Sequence, residues 1–346
     1  MSSKDPKKPQ LKGVFHLNIN TSNHQNNQDL PKDEPKPSKP GENLPQQSEG
    51  NILTTMNSLH PLNQNDPLDT SNMTNIFPVP KPYKVYSYSK DYYDELYLNL
   101  IFDEQRFYQK INYNYMNFQK NINSNMRAIL IDWLIDVHYR FNMKRKTLFH
   151  CVFIIDAYLS KNTVERTKLQ LLGMVALLIA CKQNEIIYPR LTSFLAVADN
   201  AYTLEELTDM ELKVIKKLEF DILAPTAEEF FSINADYFEF TQKQRFFGEY
   251  LLDVSLLDFG LLKYKPSTIA VACGYIVMKF FHLNGINFII DNASPDVNQN
   301  NVKECAKHLC FLMKFISQSV LGATKNKYMS DKYMKVAQIC EDSLDI

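Results

Sequence analysis

The sequence predicts an all-α protein preceded by a disordered N-terminal tail. Three observations carry that expectation. Twelve of the 16 prolines lie at or before Pro82. From about residue 90 onward, Tyr, Phe, Leu and Ile become dense and recur at helical spacing. No run of alternating strand residues interrupts that texture.

In chain order, residues 1–85 read as the tail. Asn, Gln and Ser fill the gaps between prolines, and apolar residues are too sparse to offset the entropy of ordering. Helices are expected over 90–108, 124–141, 145–160, 167–183, 190–198, 203–218, 226–236, 241–258, 266–282, 301–320 and 328–339. Thr203-Leu-Glu-Glu206 is a capping-box start, in which the Thr and Glu side chains serve each other's backbone N–H groups. Pro225 and Pro266 stand at helix entries, where a missing N–H costs nothing. The body also repeats itself. Phe153–Leu159 resembles Tyr250–Leu256 at an offset of 97, and the same offset lays Met174–Lys182 over Val271–Lys279. That register suggests two five-helix units joined near Leu223-Ala-Pro225; a single large bundle is the alternative.

Lys plus Arg total 38 and Asp plus Glu total 39, a net charge of −1. Nothing in that balance asks for nucleic acid, and no dense basic block suggests a membrane surface. The N-terminus is polar, unlike a signal peptide. The longest apolar run, Leu171 to Cys181, is too short to span a bilayer and reads as a core helix. The six cysteines mostly lie inside apolar helical patterns, as expected for reduced thiols in an intracellular protein. Nine glycines form no dinucleotide or phosphate loop, so no cofactor is expected. Cys305, His308 and Cys310 sit at i, i+3 and i+5, which do not converge on a helix, so no metal is expected. His138 and His150 stand alone and read as core or surface histidines.

The stretch Met126–Phe141, MRAILIDWLIDVHYRF, is apolar around most of its circumference. Met126, Ile129, Leu130, Trp133 and Val137 form one stripe, while Ile131, Leu134 and Ile135 cover much of the other side. Such a helix belongs at the centre of its unit, with partners for Arg127, Asp132 and Asp136. Periodicity alone does not separate a wholly buried stripe from one with an exposed docking patch.

MRAILIDWL resembles the cyclin-box signature of A- and B-type mitotic cyclins. The resemblance runs from about 90 to 340. It takes in Tyr115–Asn125, Leu169–Gly173, Ala180-Cys-Lys182, Tyr188-Pro189, Ala201-Tyr-Thr203, Met210-Glu211, Phe220-Asp221, Ala224-Pro-Thr226 and Lys325-Asn-Lys-Tyr328, in the family's order. It implies a tail over 1–85, an N-terminal helix with the first cyclin box over 86–223, and a second cyclin fold over 224–346. Cyclins have no active site. They bind and activate a cyclin-dependent Ser/Thr protein kinase in cell-cycle control, and the expectation here is a B-type protein acting at G2/M in the nucleus and cytoplasm.

The resemblance also implies residue roles. Lys182 and Glu211 match the Lys–Glu pair at the kinase-facing core and are expected to be buried and paired. Glu185, Tyr188, Phe149, Phe153 and Ile154 would add kinase contacts. The run Gln183–Pro189 is one residue longer than the family pattern, with Gln183 replacing an aromatic, and Ala157 replaces the usual Arg. Met126, Ile129, Leu130 and Trp133 match a docking patch for Arg-x-Leu substrates or inhibitors. Leu169 and Gln170 would complete it, Arg166 would lie beside it, and Asp136 would receive the peptide Arg. In the tail, Lys8, Leu11 and Asn18 loosely resemble a destruction box read by ubiquitin-ligase machinery. The competing expectation is a non-catalytic cyclin-fold transcription adaptor, against which the near-neutral charge argues.

Overall fold

The structure is a computed structural model that describes residues 92–284, 299–319 and 321–342. The tail expected over 1–85, with Lys8, Leu11 and Asn18, lies outside the described residues. Among the described residues there are twelve α-helices and no strands. They are α1 (Tyr93–Tyr108), α2 (Ser124–Arg140), α3 (Arg145–Leu159), α4 (Leu169–Asn184), α5 (Leu191–Val197), α6 (Leu204–Lys217), α7 (Ala227–Tyr237), α8 (Gln242–Leu257), α9 (Pro266–Phe280), α10 (Gln299–Gln318), α11 (Ala323–Tyr328) and α12 (Val336–Asp342).

Two hydrophobic cores organise them. The first is built by α2–α6, the second by α7–α10 with α11 and α12. The central helix of the first unit is α4, buried from Leu171 to Cys181 and packed on α2, α3 and α6. Its counterpart in the second unit is α9, packed on α7, α8 and α10. The expectation that α2 would hold the centre is corrected here, and the reason explains its apolar circumference. Leu130, Leu134 and Val137 enter the first core, whereas Ile131 and Ile135 enter the second. The helix α2 is the wall between two cores. The helix α1 precedes the first unit in sequence but lays Tyr93, Tyr97 and Ile101 into the second core.

Local chemistry sets the helix starts. The capping box at Thr203 and Glu206 forms both of its bonds, and Thr226 with Glu229 and Thr241 with Gln244 repeat it at α7 and α8. Two glycines permit close helix crossings. A Cβ at Gly173 would meet Leu130 Cδ1 at 2.8 Å, and one at Gly248 would meet the Phe231 ring at 1.9 Å. The helix expected over 328–339 is instead α11, a 3-10 turn over Asp331–Tyr333, and α12. Met334 and Lys335 take φ of 53° and 52°, left-handed backbone that no α-helix continues through.

Buried polar contacts join the units. The Arg127 guanidinium grips Asp156 through Nε–Oδ1 and Nη2–Oδ2 contacts of 2.7 Å each, and its Nη1 donates to the Leu256 carbonyl of α8 at 3.0 Å. Tyr115 also donates to Asp156, at 2.7 Å. The Asp132 carboxylate accepts from Ala323 N at 3.1 Å, fixing the start of α11 against α2. Asp253 on α8 is fully buried and receives Arg145 at 2.8 Å, Lys327 at 2.6 Å and Tyr328 at 2.9 Å. Burial alone would raise the Asp253 pKa, but Arg145 and Lys327 outweigh it and hold the group at about 2.

Asp253→Asn leaves two buried cations without their anion, so urea unfolding should register a loss of about 3–5 kcal/mol. Because its folded pKa is depressed, Asp253 stabilises fully above about pH 4 and loses that contribution, on the order of 2 kcal/mol, as pH falls toward 2. Unfolding between pH 5 and 2 should show that slope in the native chain, reduced in Asp253→Asn.

Candidate functional site

The last turn of α4 and the middle of α6 bring Lys182 and Glu211 together, with Nζ 2.6 Å from Oε1. The pair forms, but the expected burial does not, because Lys182 is 39% exposed on the surface of its unit. An ion pair that wet contributes about 0–1 kcal/mol to stability. It is a surface feature rather than a core device.

Beyond Lys182 the chain leaves the helix under tight control. Asn184 Nδ2 donates to Ala180 O and to His150 Nδ1, each at 2.9 Å. His150 Nδ1 therefore accepts, and its Nε2–H donates to Ala224 O in the linker at 3.0 Å. Burial lowers the His150 pKa, which favours this neutral form. The Glu185 carboxylate accepts from Lys144 N at 2.7 Å and from the Thr147 hydroxyl. It thereby caps the start of α3, where backbone N–H groups lack helical partners. Lys144 Nζ closes the junction on Asn184 O at 2.8 Å. The two residues that follow these anchors are solvent-facing isoleucines, Ile186 at 86% and Ile187 at 63% exposure. Tyr188 then folds back onto the first core.

Further large apolar side chains are exposed on adjoining segments. Leu212 follows Glu211, Phe220 ends the α6 turn, and Leu223 precedes the Ala224 that His150 holds. The sequence reading missed Ile186, Ile187, Phe220 and Leu223 as surface groups. The available signal was two adjacent isoleucines between a helix end and Pro189, with no period to bury them.

Two expected contact residues are corrected. Ile154 is fully buried in the first core and Phe149 is buried in the second, so neither is open to a partner. Phe153 is half-buried, edge-on to Phe107 at 6.2 Å. Together Phe149 and Phe153 wall a cleft of about 110 Å³ between α1, α3 and the linker.

The MRAILIDWL face is likewise divided. Met126, Leu130 and Leu169 are buried in the first core, which corrects their reading as an exposed patch. Leu130 is held against Gly173 by the close α2–α4 approach. Ile129, Trp133, Arg166 and Gln170 are half-buried and leave apolar surface over that floor. Asp136 is engaged by Arg140 one turn on, at 2.6 Å.

Cys151, Cys181, Cys273, Cys305 and Cys310 are all buried free thiols. Burial pushes Cys305 up to about 12 and Cys310 to about 11. His308 lies 2.9 Å from Asp258. Among the described residues no cluster of His, Cys, Asp or Glu could hold a metal ion, and no helix is long and apolar enough to cross a membrane.

Residues 96–223 match the family model for the cyclin N-terminal domain, and 225–342 match that for the cyclin C-terminal domain. The chain is 34% identical over 238 residues to the human G2/mitotic-specific cyclin-B2, covering 67% of this chain and 58% of that protein. It is 34% identical over 249 residues to the Medicago sativa G2/mitotic-specific cyclin-2, covering 69% and 74%. The Dictyostelium discoideum G2/mitotic-specific cyclin-B is 33% identical, with 70% and 57% covered. The chain thus spans less than two thirds of the human and Dictyostelium relatives. A viral cyclin from Herpesvirus saimiri superposes with a TM-score of 0.54 at 16% identity, covering 64% of this chain and 97% of that one, a likeness of fold.

Substitutions should separate floor from surface. Leu130→Ala should cost about 2–5 kcal/mol in chemical denaturation, as for a core leucine. Lys182→Ala should change stability by less than about 1 kcal/mol.

Proposed function

The chain belongs to the cyclin family, and from that premise we propose that it is the regulatory subunit of a cyclin-dependent Ser/Thr protein kinase in the cell cycle, with no catalytic step of its own. The observation that carries this reading is the solvent-facing Lys182–Glu211 pair beside the projecting Ile186 and Ile187. A kinase needs the Lys–Glu pair of its C-helix and a placed activation loop. A partner surface that fits only the inward helix shifts the kinase population to its active state. Moving that equilibrium from 1:99 to 99:1 takes about 5.5 kcal/mol of differential binding. The exposed ion pair is too weak to supply it. Burying two isoleucine side chains contributes roughly 1.5–3 kcal/mol each, so the apolar residues dominate and the Lys182–Glu211 pair sets orientation.

On the same reading, Ile129, Trp133 and Gln170 form a shallow dock for Arg-x-Leu substrates or inhibitors, over the floor of Met126, Leu130 and Leu169. A peptide arginine there competes with Arg140 for Asp136, exchanging one exposed ion pair for another. The dock is therefore weak and acts by raising local substrate concentration. We further propose action at G2/M, in nucleus and cytoplasm, and turnover through Lys8, Leu11 and Asn18 by ubiquitin-ligase machinery.

The purified full-length chain should phosphorylate nothing alone, should capture a cyclin-dependent kinase from dividing cells, and should stimulate it on a histone substrate. Ile186→Asp with Ile187→Asp should lower that stimulation about tenfold or more. Normal stimulation by the folded double variant would remove this face from the reading. Trp133→Ala should weaken phosphorylation of Arg-x-Leu substrates and spare short peptides without the motif.

A further inference from the structure

The first turn of α3 looks two ways. On one side Lys144 N and the Thr147 hydroxyl hold Glu185, Lys144 Nζ holds Asn184 O, and His138 Nε2 lies 2.8 Å from Lys144 O. On the other side Arg145, the next residue along, reaches into the second unit. Its Nη1 donates to the Tyr328 hydroxyl at 2.7 Å, and its Nη2 to Asp253 Oδ1 at 2.8 Å and to Glu249 O at 3.3 Å. The Tyr328 hydroxyl in turn donates to Asp253 Oδ2, which also receives Lys327. The segment carrying Lys327 and Tyr328 is fixed at its other end by Asp132.

We propose that this C-terminal segment sets the geometry of the Glu185–Tyr188 loop through the start of α3, with Arg145 and Tyr328 as positioning residues. Lys144, Arg145 and Thr147 lie within one helical turn, where each residue adds 1.5 Å of rise. A displacement at Arg145 is therefore passed to Lys144 N and Thr147. Their bonds to the Glu185 carboxylate weaken steeply with distance and angle. Loss of those bonds frees the base of the loop that projects Ile186 and Ile187. The contacts form a contiguous set across the two cores, the arrangement through which coupling between separated sites travels. Its meaning for kinase binding rests on the function proposed above; the coupling itself does not.

Hydrogen exchange on the full-length chain tests it, because the Lys144 amide is itself the donor to Glu185. Tyr328→Phe removes one hydroxyl and keeps the buried ring, so the fold is retained. Arg145→Met is the second variant. Both should speed exchange at the Lys144 amide about fivefold or more beyond any rise at the α9 amides, which report global stability. Unchanged exchange at Lys144 overturns the proposal. So does an equal rise at Lys144 and throughout α9, which is the signature of general destabilisation. If Lys144 responds as expected while the native chain stimulates no kinase, the coupling stands and the functional reading falls.

Discussion

The Arg127–Asp156 pair is the contact on which the architecture depends. Both side chains are 1% exposed, and Arg127 reaches past its partner to the carbonyl of Leu256 in the second unit. Withdrawing two charges from water is expensive, and the cost is met only where geometry is good and the remaining lone pairs and protons are used. Here the bidentate grip and the Tyr115 hydroxyl supply that geometry. Because the pair tolerates so little displacement, it fixes α2 against α3 and both against α8. The wall between the cores is thus specified by polar contacts, while its thickness is filled by Ile131, Ile135, Leu130 and Leu134.

Around that wall the molecule distributes rigidity and affinity differently. Buried charges at Asp156 and Asp253 hold units together, where geometry matters more than net energy. The surface pair Lys182–Glu211 has little energy of its own, and in the proposed reading the exposed isoleucines supply the association. Between these two regimes, the hydrogen bonds at Asn184 and Glu185 tie the base of the loop that carries Ile186 and Ile187 to α3 and α4.

Much of the fold was legible because helix periods and caps are local. Thr203 and Glu206 announce a helix start three residues apart, and Pro266 announces another. The break at Met334 and Lys335 was not legible, since neither residue type signals left-handed backbone. The site was legible in part. Pattern identified the stripe from Met126 to Trp133 but not which of its members are covered, because the cover comes from Leu169 and Gly173 some forty residues onward. The pairing of Lys182 with Glu211 was anticipated by resemblance, while the wetness of the pair and the capping of α3 by Glu185 depend on how remote segments meet. Such tertiary contacts leave no mark at fixed sequence spacing.

Ile186 and Ile187 carry one more consequence. Two large aliphatic groups held out in water by a rigid base keep the solitary chain in a permanently unfavourable hydration state. Whatever covers them stabilises the fold by mass action as well as forming a complex. On the proposed reading, a protein that covers them raises the folded population of this chain by the same free energy that forms the complex, so abundance and assembly become one variable.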